Sequence, residues 1–405
     1  MHGSFTRILA AAAILVAVAL PPVVANGQDV IKIGWAISKT GPYAAGANIT
    51  LLGAYKVWVK DVNDAGGIML QSAGKKVPVE IIEYDDRSNS EELIKALERL
   101  ISQDKVDFIL PPWSTAFNLA AGPILNRGGY PHLAVTATTD RAPELAKRWP
   151  NSFWLLGTAT EAAVSLVDLL TKLRAEGKID GNVAMISVAD QFGIDVSAAA
   201  RDAFKKANFA IAYDKSYPLG TQDLQPLLTD AMRTNAPTFI ALSYPPDTLM
   251  INEQAKVLNY SPKVFYTAVG TAFPLFKQKF GANAEGVMGT GGINADSQEF
   301  KDYVKRHAAV NNGMEPDRWA NPVGYASLQI LQQAIERVGK LDRAAVVKEL
   351  QSGSFDTIIG PIKFVDNLRK NAWQVGQWQG GEYYGVAPGS NAGARPLAFP
   401  KPAWK

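Results

Sequence analysis

Two spacings of apolar residues take turns along this chain. Residues 30–35 form a short apolar, β-branched run of the kind that suits a buried strand, and Gly41-Pro42 then breaks the chain into a loop. Residues 53–62 have helical character, and Asn63-Asp64-Ala65-Gly66-Gly67 is a helix-stop turn whose glycines tolerate positive φ. Residues 77–84 read as a second strand, which completes a βαβ unit. The alternation continues. Ser88-Asn89-Ser90-Glu91 has the form of a capping box, and Leu93, Ile94, Leu97, Leu100 and Ile101 follow at i, i+3, i+4 spacing. Further strands are predicted at 106–110, 132–136, 182–188, 238–242 and 264–267. Strands alternating with helices predict an α/β protein with parallel, doubly wound sheets. The Gly-, Pro-, Ala- and Trp-rich segment from Gly376 on reads as irregular structure.

Upstream of this pattern, residues 1–25 read as a signal peptide. Arg7 supplies positive charge, residues 8–20 are apolar, and Val23-Val24-Ala25 offers small residues for cleavage near Asn26. An exported, periplasmic protein is the expectation. The remaining residues, about 380, exceed what one core comfortably holds and suit two domains. Charge is nearly balanced, with 41 Lys and Arg against 38 Asp and Glu, so no nucleic-acid partner is indicated. The chain has no cysteine, which excludes thiol chemistry and thiolate metal sites.

Enzyme signatures are absent: there is no phosphate-binding Gly-x-x-x-x-Gly-Lys-Ser/Thr loop, no Gly-x-Ser-x-Gly elbow and no His-Glu-x-x-His pair. His2, His132 and His307 are too scattered to suggest a metal site. Asp85-Asp86 points to opposite faces of a strand end and reads as solvated caps and turn contacts. A binding protein without catalysis or cofactor is therefore expected. Exported hydrolases, sensing modules and structural proteins are the competing classes.

The opening unit carries a resemblance. Ile31-Lys32-Ile33-Gly34-Trp35, Thr40-Gly41-Pro42, Gly46, Gly53, Asn63-Asp64-Ala65-Gly66-Gly67-Ile68 and Glu83-Tyr84-Asp85-Asp86 together resemble the amino-terminal signature of the branched-chain amino acid-binding proteins, receptors of ABC importers. That resemblance implies two Rossmann-like lobes on a three-segment hinge, the type I periplasmic binding protein fold. Crossings would lie near 153–158, 286–292 and 354–361. One lobe would comprise 26–155 with 290–355, and the other 156–289 with 356–405, the tail draped over the second. It also implies a monomer that delivers a small molecule to an ABC permease.

Candidate contacts follow from strand ends and from the resemblance. Ser114 and Thr115 fall at a predicted helix start, where hydroxyls and unpaired N–H groups favour an anion, although either alone serves equally as an N-cap. The family has a Ser/Thr cluster here that grips the ligand carboxylate, and an Ala-Thr pair one unit later, matched by Ala137-Thr138 beside Thr136. Asp190-Gln191-Phe192-Gly193 resembles the family's Asp-x-Tyr-Gly turn with Phe192 in place of tyrosine, and Tyr244 matches an aromatic contact. Trp35, Tyr43, Trp113 and Trp319 are weaker candidates, each equally suited to the role of a buried anchor. Where relatives place an acid for the ligand ammonium, this chain has Val269, and no acidic residue occurs between 259 and 281. A desolvated ammonium without a carboxylate is costly. The expected ligand is therefore a hydrophobic or aromatic acid, the alternative being an amino acid or amide held by Asp190 or Asp247.

Overall fold

The computed structural model describes residues 29–405, so the expected signal peptide and its cleavage site lie outside the described residues. Two groups of parallel strands organise the chain. In the first, Ile31–Ile37 lies between Val79–Asp85 and Phe108–Leu110. Its side chains are almost wholly buried on both faces, as a central parallel strand flanked by helices requires. The parallel pair His132–Ala134 and Ser152–Trp154 follows in the chain. Helix Gly53–Asp64 packs on Ala320–Val338, where Trp58 Nε1 donates to Gln332 and the Tyr325 hydroxyl to Asp61. The second group is a seven-stranded sheet. Its parallel part runs from Ala210–Tyr217 through Asn182–Val188, Thr238–Leu242 and Val264–Thr267 to Met288–Thr290.

Several sequence expectations need correction. The first part of the tail expected to be irregular from Gly376 on forms two antiparallel strands, Val375–Gln379 and Glu382–Ala387, which extend the second sheet, while 388–405 has no regular element. Glycines at 376 and 385 weaken the strand signal, yet the side chain of Tyr383 fills the space beside Gly376. A hairpin, Ile68–Leu70 with Lys75–Val77, precedes the strand expected to begin at Val77. The N-cap of helix Ser90–Ser102 is Asn89, whose side chain accepts from Glu91 N and Glu92 N. Ser88 instead lies at φ 57° and gives its hydroxyl to Thr40 O.

The third crossing also moves. Ser354–Phe355 pairs with Ile362–Lys363, Phe364 packs on Phe153, and Arg369 N donates to Trp154 O. Residues 362–369 therefore run with the first group of strands, and the chain reaches the second sheet only at Val375. The expected boundary at 356 is too early, because the Phe153–Phe364 contact joins segments far apart in sequence.

Strand ends aim the functional loops. Leu110, Ala134, Val188, Leu242 and Thr267 each close a strand at its carboxyl end, the place where open α/β sheets collect ligands.

Candidate functional site

The first lobe's half of the cleft is built around Ser114. This residue has φ 85° and ψ 155°, a backbone region otherwise nearly reserved for glycine, and it is 2% exposed. The strain is held by hydrogen bonds. Ser114 N donates to Thr136 Oγ1 at 3.1 Å, Ser114 Oγ accepts from Phe117 N, and Asn118 Nδ2 donates to both Ser114 O and Thr136 Oγ1. Asn118 is itself fixed by His132 Nε2 at 2.9 Å, whose other nitrogen meets Ser152 Oγ. Burial pushes the His132 pKa down to about 4, so this imidazole is neutral and works as a strut behind the loop. His307, also depressed by burial, links Met314 O and Asn321.

These bonds leave donors free. The Ser114 hydroxyl accepts as the N-cap and also meets the Tyr43 hydroxyl. Thr138 N donates to Thr115 Oγ1, while the Thr138 hydroxyl makes no hydrogen bond. The first backbone N–H groups of helix Thr115–Arg127 add the partial positive charge of a helix start.

The second lobe supplies rings. Phe192 stacks on Tyr244 at 5.2 Å, and Tyr244 reaches across to Trp113 at 5.0 Å and Tyr43 at 5.7 Å. Trp113 is fixed by its indole N–H on Thr50 Oγ1 and by Gly46, where any Cβ would enter the Trp113 ring. Thr50 lies in a π-helical turn, Asn48–Leu52, a feature that often accompanies functional sites. Trp319, 6% exposed, has an indole N–H with no partner.

One carboxylate bridges the halves. Asp190 caps helix Gln191–Lys206 through Gly193 N, and its Oδ2 accepts from the Tyr244 hydroxyl at 2.7 Å and the Tyr43 hydroxyl at 3.3 Å. Burial raises its pKa, with the hydrogen bonds opposing that rise. Asp247 accepts from Tyr217 and from Tyr244 N, and burial pushes it up to about 6.

Between the halves lies a cavity of about 330 Å³, counting its open mouth. Of the candidates named from the sequence, Trp113, Ser114, Thr136, Thr138, Phe192, Tyr244, Val269 and Trp319 line it. Thr115 and Ala137 do not. Thr115 turns its hydroxyl to Thr138 N, and Ala137 is buried in a small cluster with Trp149 and Trp154. Thr50, Leu156 and Ala320 line the cavity without any sequence signal that singles them out. Asp86 also departs from expectation: it is fully buried, accepts from Ser38 Oγ and Ser88 N, and has its pKa raised to about 6 by burial. Trp35 is structural, its indole on Glu83. No charged side chain lines the cavity among the described residues, and no cluster able to hold a metal ion occurs among them.

The sequence pattern of the periplasmic binding proteins matches residues 30–382. The chain belongs to that family. Its fold is the family's type I architecture of two α/β lobes. Within the family it is 24% identical to Leu/Ile/Val-binding protein homolog 7 of Brucella suis, over 89% of this chain and 92% of that one. Among solved periplasmic binding proteins, a solute-binding protein from R. palustris in complex with benzoate superposes with TM-score 0.77 at 15% identity, covering 91% and 98% of the two chains. The branched-chain amino acid-binding protein LivJ of Streptococcus pneumoniae, in complex with isoleucine, gives 0.76 at 19% identity, covering 88% and 99%.

Proposed function

We propose that this protein is the periplasmic solute receptor of an ABC importer and that it captures a hydrophobic or aromatic carboxylate between its lobes. The observation that carries the ligand class is the chemistry of the cavity wall. The Thr138 hydroxyl and the Trp319 indole N–H are donors with hydrogens to spare, the Ser114 hydroxyl is shared with Phe117 N and Tyr43, and the remaining surface is largely aromatic and aliphatic. Neutral donors at a helix start hold a carboxylate without a full positive charge. The rings of Trp113, Phe192 and Tyr244 offer flat surface to an apolar body. Val269 adds an aliphatic group to the wall, and no acid lines the cavity to pair with an ammonium.

Function follows from a hinge equilibrium. Contacts to both lobes exist together only when the cleft is shut, so ligand shifts the population toward the form a permease receives. Residues 1–25 direct export and are removed, and the mature protein acts as a monomer. A second reading keeps one specific support: if Tyr43 and Tyr244 release Asp190, its carboxylate becomes available to an ammonium, and an amino acid becomes the ligand.

A thermal-shift screen of the mature protein against aromatic acids, aliphatic acids, amino acids and amides tests this reading. An aromatic acid at a hundredfold excess over its Kd adds about 2.7 kcal/mol of apparent stability. Shifts confined to amino acids would reject the ligand class.

A further inference from the structure

Three stretches of chain, 155–158, 291–297 and 370–374, pass between the two groups of strands. All three meet on one pair of indoles. Trp373, in the third stretch, gives its ring N–H to Leu156 O in the first. Its ring lies 5.6 Å from that of Trp319, and the two residues are 5% and 6% exposed. Trp319 in turn covers the second stretch. Any Cβ at Gly291 would run into the Trp319 Cβ, Gly291 N donates to Gln374 O, and Arg318 O accepts from Gly292 N and Ile293 N. The same pair reaches the ligand site, because Trp319 and Leu156 line the cleft cavity and the Trp319 indole N–H has no partner. Rotating one lobe against the other twists each of the three stretches, and rings wedged among them feel every such rotation.

We propose that Trp373 is a positioning residue that couples an occupied cleft to lobe closure. It holds Trp319 on the stretches that must twist, so a ligand acceptor that takes the Trp319 N–H fixes the hinge together with the wall. This rests on the reading of the cleft as the ligand site and holds for an acid or an amino acid alike.

Distances between two spin labels on the mature protein test the proposal, and the absence of native cysteine makes the labelling specific. Met69→Cys on the first lobe and Val257→Cys on the second place the labels at exposed positions outside the cavity wall. Without ligand, Trp373→Leu broadens the distance distribution relative to the wild type. With saturating benzoate, or with leucine in the same assay, the wild type collapses to one closed distance and Trp373→Leu keeps an open fraction. The calorimetric Kd of that variant rises about fivefold or more, the low end of coupling between sites. Trp373→Phe keeps a ring beside Trp319 and loses only the N–H to Leu156, so it shows the same changes at smaller size and serves if the leucine variant does not fold. A role in packing alone lowers the melting temperature and leaves both distance distributions as in the wild type, which overturns the proposal. Closure as complete as in the wild type, with Kd within about twofold, overturns it too. Binding of neither solute defeats the ligand reading, and the ligand-free distributions then decide the anchoring role of Trp373 by themselves.

Discussion

The two halves of the cleft solve different problems. On the first lobe, Ser114 is tied to Thr136, both are tied to Asn118, Asn118 is tied to His132, and Thr138 is tied to Thr115 through its N–H, so that the loops are fixed before any ligand arrives. On the second lobe, Phe192, Tyr244 and Val269 present largely apolar surface, and the two acids beside them are occupied, Asp190 by the Tyr43 and Tyr244 hydroxyls and Asp247 by Tyr217 and Tyr244 N. Under the proposed reading, head-group recognition and body recognition are divided between lobes. Preorganised donors suit a constant feature of the ligand, and apolar ring surface, which imposes no directional bond, suits a variable one.

Breaking the first half should cost the most and should not discriminate. Ser114→Ala and Thr138→Ala each weaken every carboxylate ligand by about 1.5 to 3 kcal/mol, the loss of a hydrogen bond to a charged group. Ser114→Ala also lowers folding stability by about 1 kcal/mol because it removes an N-cap, whereas Thr138→Ala does not. Titrations of several acids against both variants, alongside denaturant melts, check this. A loss specific to one acid would mean that the first lobe reads the body of the ligand as well.

Breaking the second half should cost less and should discriminate. Replacing Tyr244 or Phe192 with leucine removes ring pairing worth roughly 0.5 to 1.5 kcal/mol for aromatic acids, and aliphatic acids of similar size lose little. Competition between a matched aromatic and aliphatic pair reads this ratio directly.

The bridging acid gives the smallest effect and the sharpest sign. Burial raises the Asp190 pKa above the usual carboxylate value, and an anionic ligand brought beside it raises that pKa further. Binding then takes up a proton, so acids bind more tightly as pH falls from neutrality toward that pKa. Asp190→Asn abolishes this pH dependence and strengthens acid binding at neutral pH. If an amino acid is the true ligand, the same substitution weakens it strongly instead.

How far the sequence carried this picture depended on the range of each interaction. The strands Asn182–Val188, Thr238–Leu242 and Val264–Thr267 were legible to the residue, because a buried parallel strand writes itself as a continuous apolar run. Ser114 was legible as a strand-end hydroxyl, but not its strained backbone, which depends on Thr136 and Asn118. The N-cap moved from Ser88 to Asn89 because both are capping residues and only the neighbouring loop, through Thr40 O and Tyr43 N, claims the serine. Tyr43 and Asp190 are 147 residues apart, and nothing local announces that they meet. Thr50 and Leu156 reach the cavity wall through a π-helical turn and a crossing segment, neither of which has a periodic signature.

Isothermal calorimetry of the mature protein with an aromatic acid series and with leucine, isoleucine and valine tests the central claim most directly. The account predicts tight binding of at least one benzoate- or phenylalkanoate-type acid and weak or no response to the three amino acids. Tight binding of leucine, isoleucine or valine with silence from every aromatic acid would contradict it.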